Sequence, residues 1–137
     1  MRNTPEAVAV VEDDPEMRAA LQRVLRASGF ETLVFRSAED FLEAGPLPSL
    51  GCLVLDVRLP GLSGPELHRR LRRSGAAAPV IFVTAHDTES VRQEVLALDP
   101  AAFLKKPFEG DDLVRAVGEA LSAGRTRRNE IRSKADE

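Results

Sequence analysis

The chain has 137 residues, enough for one domain with a real core and not for two. Hydrophobic residues make up 43% and charged residues 30%, an ordinary globular balance, and a net charge of -3 gives no overall basic face that would call for nucleic acid or an acidic membrane. The lone Cys52 excludes an internal disulfide; no apolar stretch can span a bilayer and Met1 to Pro5 carries no signal-peptide core, so a cytoplasmic protein is expected.

The run Ala7 to Val11 is a first buried strand, ending in Glu12-Asp13-Asp14. Asp14-Pro15 opens a helix, with Asp as N-cap and Pro at the first helical position. Met17, Leu21, Val24 and Leu25 recur at helical spacing until Gly29. Thr32 to Phe35 is a second, weaker strand. Ser37 to Asp40 opens a short helix with Phe41 and Leu42 on its inner face, and Gly45 to Pro48 is a loop. The third strand, Cys52 to Leu55, is a continuous apolar run that meets one carboxylate, Asp56, and then a turn, as a strand buried on both faces does. Ser63 and Glu66 have the spacing of a capping box ahead of Leu67 and Leu71. Val80 to Val83 is a fourth strand ending in Thr84. Asp87 is positioned to cap a helix carrying Val91, Val95 and Leu98. Ala102 to Leu104 is a fifth strand ending in Lys105-Lys106-Pro107. The last helix carries Leu113, Val114, Val117 and Leu121, and Gly124 is expected to end it. Residues 1–124 thus form one domain, and the mostly charged residues 125–137 read as a flexible tail or the start of a linker.

Strands alternating with helices imply an α/β fold: a doubly wound parallel sheet covered on both faces. Every chemically capable strand end then lies on one edge. Glu12 and Asp13 arrive from the first strand, Asp56 from the third, Thr84 from the fourth and Lys106 from the fifth. Carboxylates crowded in one crevice require a proton or a cation between them. Hard oxygen donors, with no His or Cys placed to ligate, suit Mg2+. With an ammonium and a hydroxyl in the same crevice, the site could hold a phosphoryl group, and Asp56 is the carboxylate placed to accept it.

The motifs Val-Val-Glu-Asp-Asp at 10–14, Leu-Asp-Val-Arg-Leu-Pro-Gly-Leu-Ser-Gly at 55–64, Val-Thr-Ala at 83–85 and Lys-Pro-Phe at 106–108 resemble, in order and spacing, a response-regulator receiver domain of two-component signalling. The resemblance covers roughly residues 7–123, and the wording around Cys52 to Gly64 is similar to receivers of the FixJ type. It implies a CheY-like fold with five strands in the flavodoxin-like order 2-1-3-4-5. It also implies roles. Asp56 is then the phosphoacceptor; Asp13 binds Mg2+ directly, Glu12 through water, and the backbone carbonyl of Arg58 is a further ligand. Thr84 and Lys106 contact the phosphoryl oxygens. Phe103 is either plain core or the aromatic switch that turns inward when Thr84 moves. The Lys106–Pro107 bond is expected to be cis, and the α4-β5-α5 face to respond. Arg58 and His86, each two residues beyond a site residue, are expected at the crevice mouth, where they would tune the phosphoryl lifetime.

The expected partner is a sensor histidine kinase or a phosphotransfer protein, with homodimerisation of the phosphorylated form left open. Regulation of transcription would run through an output domain outside this chain, the alternative being a stand-alone receiver acting through protein contacts. The chain is not expected to be an enzyme beyond assisting its own phosphorylation and dephosphorylation. An aspartyl-phosphate phosphatase of the haloacid-dehalogenase type would want a second aspartate where Arg58 stands. A flavodoxin-like nucleotide binder would want glycines where Glu12 and Asp13 stand. Asp14 reads as a cap only and Lys105 as surface. Arg125, Arg127 and Arg128 form a solvated cluster too short to argue nucleic-acid binding. One departure from the family pattern stands out: Asp99-Pro100 replaces the usual Gly-Ala before the fifth strand, which puts the amplitude of switching there in question.

Overall fold

Every side chain from Ala7 to Val11 is buried, as a strand in the middle of a covered parallel sheet requires. A computed structural model describes residues 6–47 and 49–136, with side chains through residue 124. Five strands, β1 (Ala7–Val11), β2 (Glu31–Phe35), β3 (Leu50–Asp56), β4 (Val80–Thr84) and β5 (Ala102–Lys105), alternate with five helices, α1 (Pro15–Ala27), α2 (Ala38–Glu43), α3 (Gly64–Arg73), α4 (Glu89–Leu96) and α5 (Gly110–Asp136). The strands pair in parallel in the order β2-β1-β3-β4-β5, the expected topology.

Alternation along the strands divides the core into two layers. Val8, Val10, Cys52, Val54, Ile81 and Val83 face α1 and α5, where Leu21, Leu25, Leu113, Val117 and Leu121 close the layer. Ala9, Val11, Leu53, Leu55 and Phe82 face Phe41 of α2, Leu67 of α3 and Val95 of α4. Each fully buried Leu or Phe contributes about 1.5–3 kcal/mol of transfer free energy, so both layers are needed to hold the sheet between its helices. Cys52 lies inside the first layer, where burial pushes its thiol pKa up to about 12 and keeps it protonated.

Local signals place most helix starts. Asp14 accepts from the Glu16 N–H ahead of α1, Ser37 from the Asp40 N–H ahead of α2, and Ser63 from the Glu66 N–H ahead of α3. Two expectations fail. The N-cap of α4 is Thr88, whose hydroxyl accepts from the Val91 N–H, and not Asp87. Asp87 instead pairs with Arg92 at 2.5 Å, a guanidinium on the next turn outcompeting a backbone N–H for the carboxylate. The last helix also does not stop at Gly124. It continues to Asp136, because a glycine inside a helix costs only about 1 kcal/mol and no proline follows it. The side chains of Arg125, Arg127 and Arg128 lie outside the described residues, as do residues 1–5 and the loop residue Pro48. Among the described residues no helix is long and apolar enough to cross a membrane.

Candidate functional site

β1 and β3 are neighbours in the sheet, and their register pairs Val11 with Leu55. The residues that follow, Glu12 and Asp56, therefore reach the carboxyl edge side by side. One oxygen each from Glu12, Asp13 and Asp56 lies within 4.8 Å of the others, an arrangement that could hold a metal ion. Glu12 and Asp56 are buried, whereas Asp13 is exposed at the rim. All three are hard oxygen donors, so the donor set fits Mg2+ and would not favour a softer metal.

Lys106 enters from the far side, one residue beyond β5. Its Nζ lies 2.5 Å from Glu12 Oε1 and 3.1 Å from Asp56 Oδ2. Its backbone N–H donates to the Thr84 carbonyl at 2.7 Å, which ties the end of β5 to the end of β4. The Lys106–Pro107 bond is cis, as the resemblance implied. The other oxygen of Asp56, Oδ1, accepts from the Arg58 N–H at 3.1 Å. Glu12 Oε2 accepts from the Asp14 N–H at 3.2 Å. Burial and the neighbouring Asp56 raise the Glu12 pKa, and Lys106 offsets this only in part. Burial alone would lower the Lys106 pKa, but its contacts with Glu12 and Asp56 outweigh that and raise it. One ammonium thus faces two buried carboxylates, and the pocket is short of positive charge.

Thr84 is fully buried, and its hydroxyl accepts from the His86 N–H at 2.9 Å. Phe103 sits opposite Phe82 in the β4–β5 register and is half-buried against the second core layer. The Arg58 and His86 side chains are exposed. All the expected residues except Phe103 therefore lie at or just beyond the carboxyl ends of their strands, and Phe103 lies within β5.

Two further residues shape the site. Arg18 of α1 donates through Nη1 to the Glu12 carbonyl at 2.9 Å and to the Asp13 carbonyl at 3.4 Å, clamping the turn that presents both acids. Its place one turn into the helix that follows the acids is the only sequence signal it offered. Gly64 starts α3 so close to β3 that a Cβ there would lie 2.3 Å from the Asp56 carbonyl oxygen.

Residues 8–118 match the family model of the response regulator receiver domain. The chain belongs to that family. It is 38% identical over 114 residues to the transcriptional regulatory protein FixJ of Bradyrhizobium diazoefficiens, covering 83% of this chain and 56% of that one. It is also 38% identical over 134 residues to nodulation protein W of the same organism, covering 98% and 59%. The solved structure of the response regulator StyR superimposes with a TM-score of 0.83 at 35% identity, covering 97% of this chain and 67% of that one. This receiver therefore spans a little over half the length of the curated relatives it matches. The Asp99-Pro100 step singled out in the sequence has a structural counterpart: Asp99 adopts a φ of 53°, the left-handed region in which glycine is the unstrained residue.

Proposed function

We propose that this receiver accepts a phosphoryl group on Asp56 and relays the event through its α4-β5-α5 face. The observation that carries the proposal is the bridging position of Lys106, with Nζ 2.5 Å from Glu12 Oε1 and 3.1 Å from Asp56 Oδ2. The Arg58 N–H fixes Oδ1 of Asp56, so Oδ2, on the lysine side, is the oxygen offered to phosphorus.

The donor is a phosphohistidine of a sensor histidine kinase or phosphotransfer protein. Asp56 Oδ2 attacks phosphorus, an O–P bond forms, the P–N bond breaks, and the electron pair leaves with the imidazole nitrogen. Asp13, Asp56, the Arg58 carbonyl and, through water, Glu12 would hold Mg2+. When bound, that ion neutralises the carboxylates and the phosphoryl oxygens together. Lys106 follows the transferred group and pairs with one of its oxygens.

The Thr84 hydroxyl then gives up accepting from the His86 N–H and donates to a phosphoryl oxygen, and Phe103 turns into the space this vacates. Arg58 and His86 stand at the mouth, where an attacking water must pass, and set the lifetime of the acyl phosphate. Its hydrolysis is the only further chemistry assigned to the chain, which acts as a cytoplasmic regulator and not as an enzyme on other substrates. The names of the relatives support transcription as the output, and the continuation of α5 past Gly124 would serve as the linker to it.

The test is intact mass after incubation with a small acyl-phosphate donor and Mg2+, comparing wild type with Asp56→Asn. A gain of one phosphoryl group in wild type alone, abolished by EDTA, is expected. No gain, or an equal gain in the variant, would overturn the assignment.

A further inference from the structure

Between β3 and α3 the chain makes the loop that carries Arg58. Its two ends are tied into the sheet and to each other: the Val57 N–H donates to the Val83 carbonyl at 3.0 Å, and the Gly64 N–H donates to the Val57 carbonyl at 3.1 Å. The tip lacks such support. Pro60 has no N–H to donate, and Gly61 turns at a φ of 76°. Among the described residues, the stretch 59–62 makes one hydrogen bond to another element. The Leu62 N–H donates to Glu39 Oε2 of α2 at 2.8 Å, across 23 positions of chain.

Both partners are built for the contact. α2 is held at its first turn by the Ser37 cap, with Ala38 and Phe41 buried beneath it, so Glu39 projects from a fixed base. Gly61 leaves the room the carboxylate needs, since a Cβ there would lie 2.5 Å from Glu39 Oε2. Leu59 is buried in the second core layer, and Leu62 packs against that layer. Apolar packing holds the loop down but is non-directional, and leaves its rotation about that contact free. A charge-assisted hydrogen bond at the tip removes that freedom.

We infer that Glu39 is a positioning residue for phosphorylation: by gripping the Leu62 N–H it sets the height and rotation of the β3–α3 loop, and so of the Arg58 carbonyl to which the proposed function gives a place among the Mg2+ ligands. The inference rests on the proposed Mg2+-dependent acceptor site. Glu39 is not one of the three clustered acids and touches no reacting atom. Its effect belongs to ligand geometry and acts through the loop backbone, so the low end of the about 10–100-fold loss typical of groups bonded directly to a ligand is expected.

The experiment measures the phosphorylation rate of the full chain against Mg2+ concentration, with a small acyl-phosphate donor, and Mg2+ affinity by calorimetry. Calorimetry is required because the chain has no Trp or Tyr to report binding. Glu39→Ala removes the acceptor, Glu39→Asp keeps the charge but is one methylene too short, and Glu39→Gln keeps a carbonyl in reach. Glu39→Ala and Glu39→Asp should raise the half-saturating Mg2+ concentration about tenfold, while the rate at saturating Mg2+ stays near wild type and Glu39→Gln is largely rescued. Gly61→Ala puts a methyl where the carboxylate sits, so it should weaken Mg2+ as well, and combining it with Glu39→Ala should cost less than the sum. A wild type with normal phosphorylation and a Glu39→Ala variant indistinguishable from it would overturn the positioning role alone. So would equal impairment of Glu39→Gln and Glu39→Ala. A wild type that takes no phosphoryl group would overturn the reading of the site, and the positioning role with it.

Discussion

Lys106 holds its ammonium 2.5 Å from Glu12, 94 positions upstream, and is the one cation paired with the buried Glu12 and Asp56 carboxylates among the described residues. Its pKa is raised in the folded chain, so the stability it adds is fully present below its unfolded value and is lost as pH climbs through the folded one. At neutral pH the bridge is intact. Lys106→Met keeps the apolar stem but leaves Glu12 and Asp56 facing each other without a counter-charge. The metal-free variant should lose about 1–3 kcal/mol. Mg2+ should restore more stability to the variant than it adds to wild type. Urea unfolding with and without Mg2+ checks this, and an equal loss in both conditions would contradict it.

Gly64 and Asp56 meet through the backbone, where a methyl at position 64 would lie 2.3 Å from the Asp56 carbonyl oxygen. Neither side of that contact is a flexible side chain, so Gly64→Ala must push the start of α3 away from the end of β3. The expected cost is about 1–3 kcal/mol, with a slower phosphorylation rate because the acceptor strand end moves. Thermal unfolding and intact-mass kinetics measure the two effects. A variant that matches wild type in both would show that the approach is looser than these distances imply.

His68 of α3 is 4% exposed, its ring 5.8 Å from that of Phe82, and neither ring nitrogen has a hydrogen-bond partner. Burial lowers its pKa, and the nearby Arg72 and Arg69 lower it further. A depressed histidine pKa means that the unfolded chain binds the extra proton first. Stability should therefore fall as pH drops below about 6.5, and continue falling until the folded pKa is reached. His68→Leu suits the apolar site and removes the titration. The stability gap between the variant and wild type should widen on acidification, by up to about 1.4 kcal/mol per pH unit. Urea midpoints from pH 7.5 down to about pH 5 report it; a gap independent of pH would refute it.

Asp99 carries a φ of 53° immediately before Pro100. Aspartate tolerates the left-handed region better than most residues but not as well as glycine. Asp99→Gly should raise stability by about 0.5 kcal/mol, the relief of strain being partly offset by a more flexible unfolded chain. A fall in the urea midpoint would show that the Asp99 side chain contributes more than its backbone costs.

Much of the frame is legible in the order of the residues alone. The apolar runs at Ala7, Cys52 and Val80 are β-strands because a strand covered on both faces has no place for a polar residue, and the caps at Asp14, Ser37 and Ser63 are local hydrogen bonds within a few residues. Two local signals mislead. Asp87 and Thr88 are adjacent capping residues, and only the reach of Arg92 decides between them. Gly124 is a weak stop, and a helix continues through it when the residues beyond favour helix.

The amino-acid sequence by itself determined the α/β alternation and hence which side chains share the carboxyl edge, since parallel strands must all end there. That follows from hydrophobic period and chain direction, both one-dimensional properties. Only the tertiary structure decided what lies within hydrogen-bonding distance of what. Lys106 bridges Glu12 and Asp56, Arg18 clamps the acidic turn, Glu39 grips the Leu62 N–H, and His68 is sealed against Phe82. Such contacts join elements far apart in sequence, and they depend on where each helix settles on the sheet. Packing of the two core layers sets that position, and no local pattern encodes it.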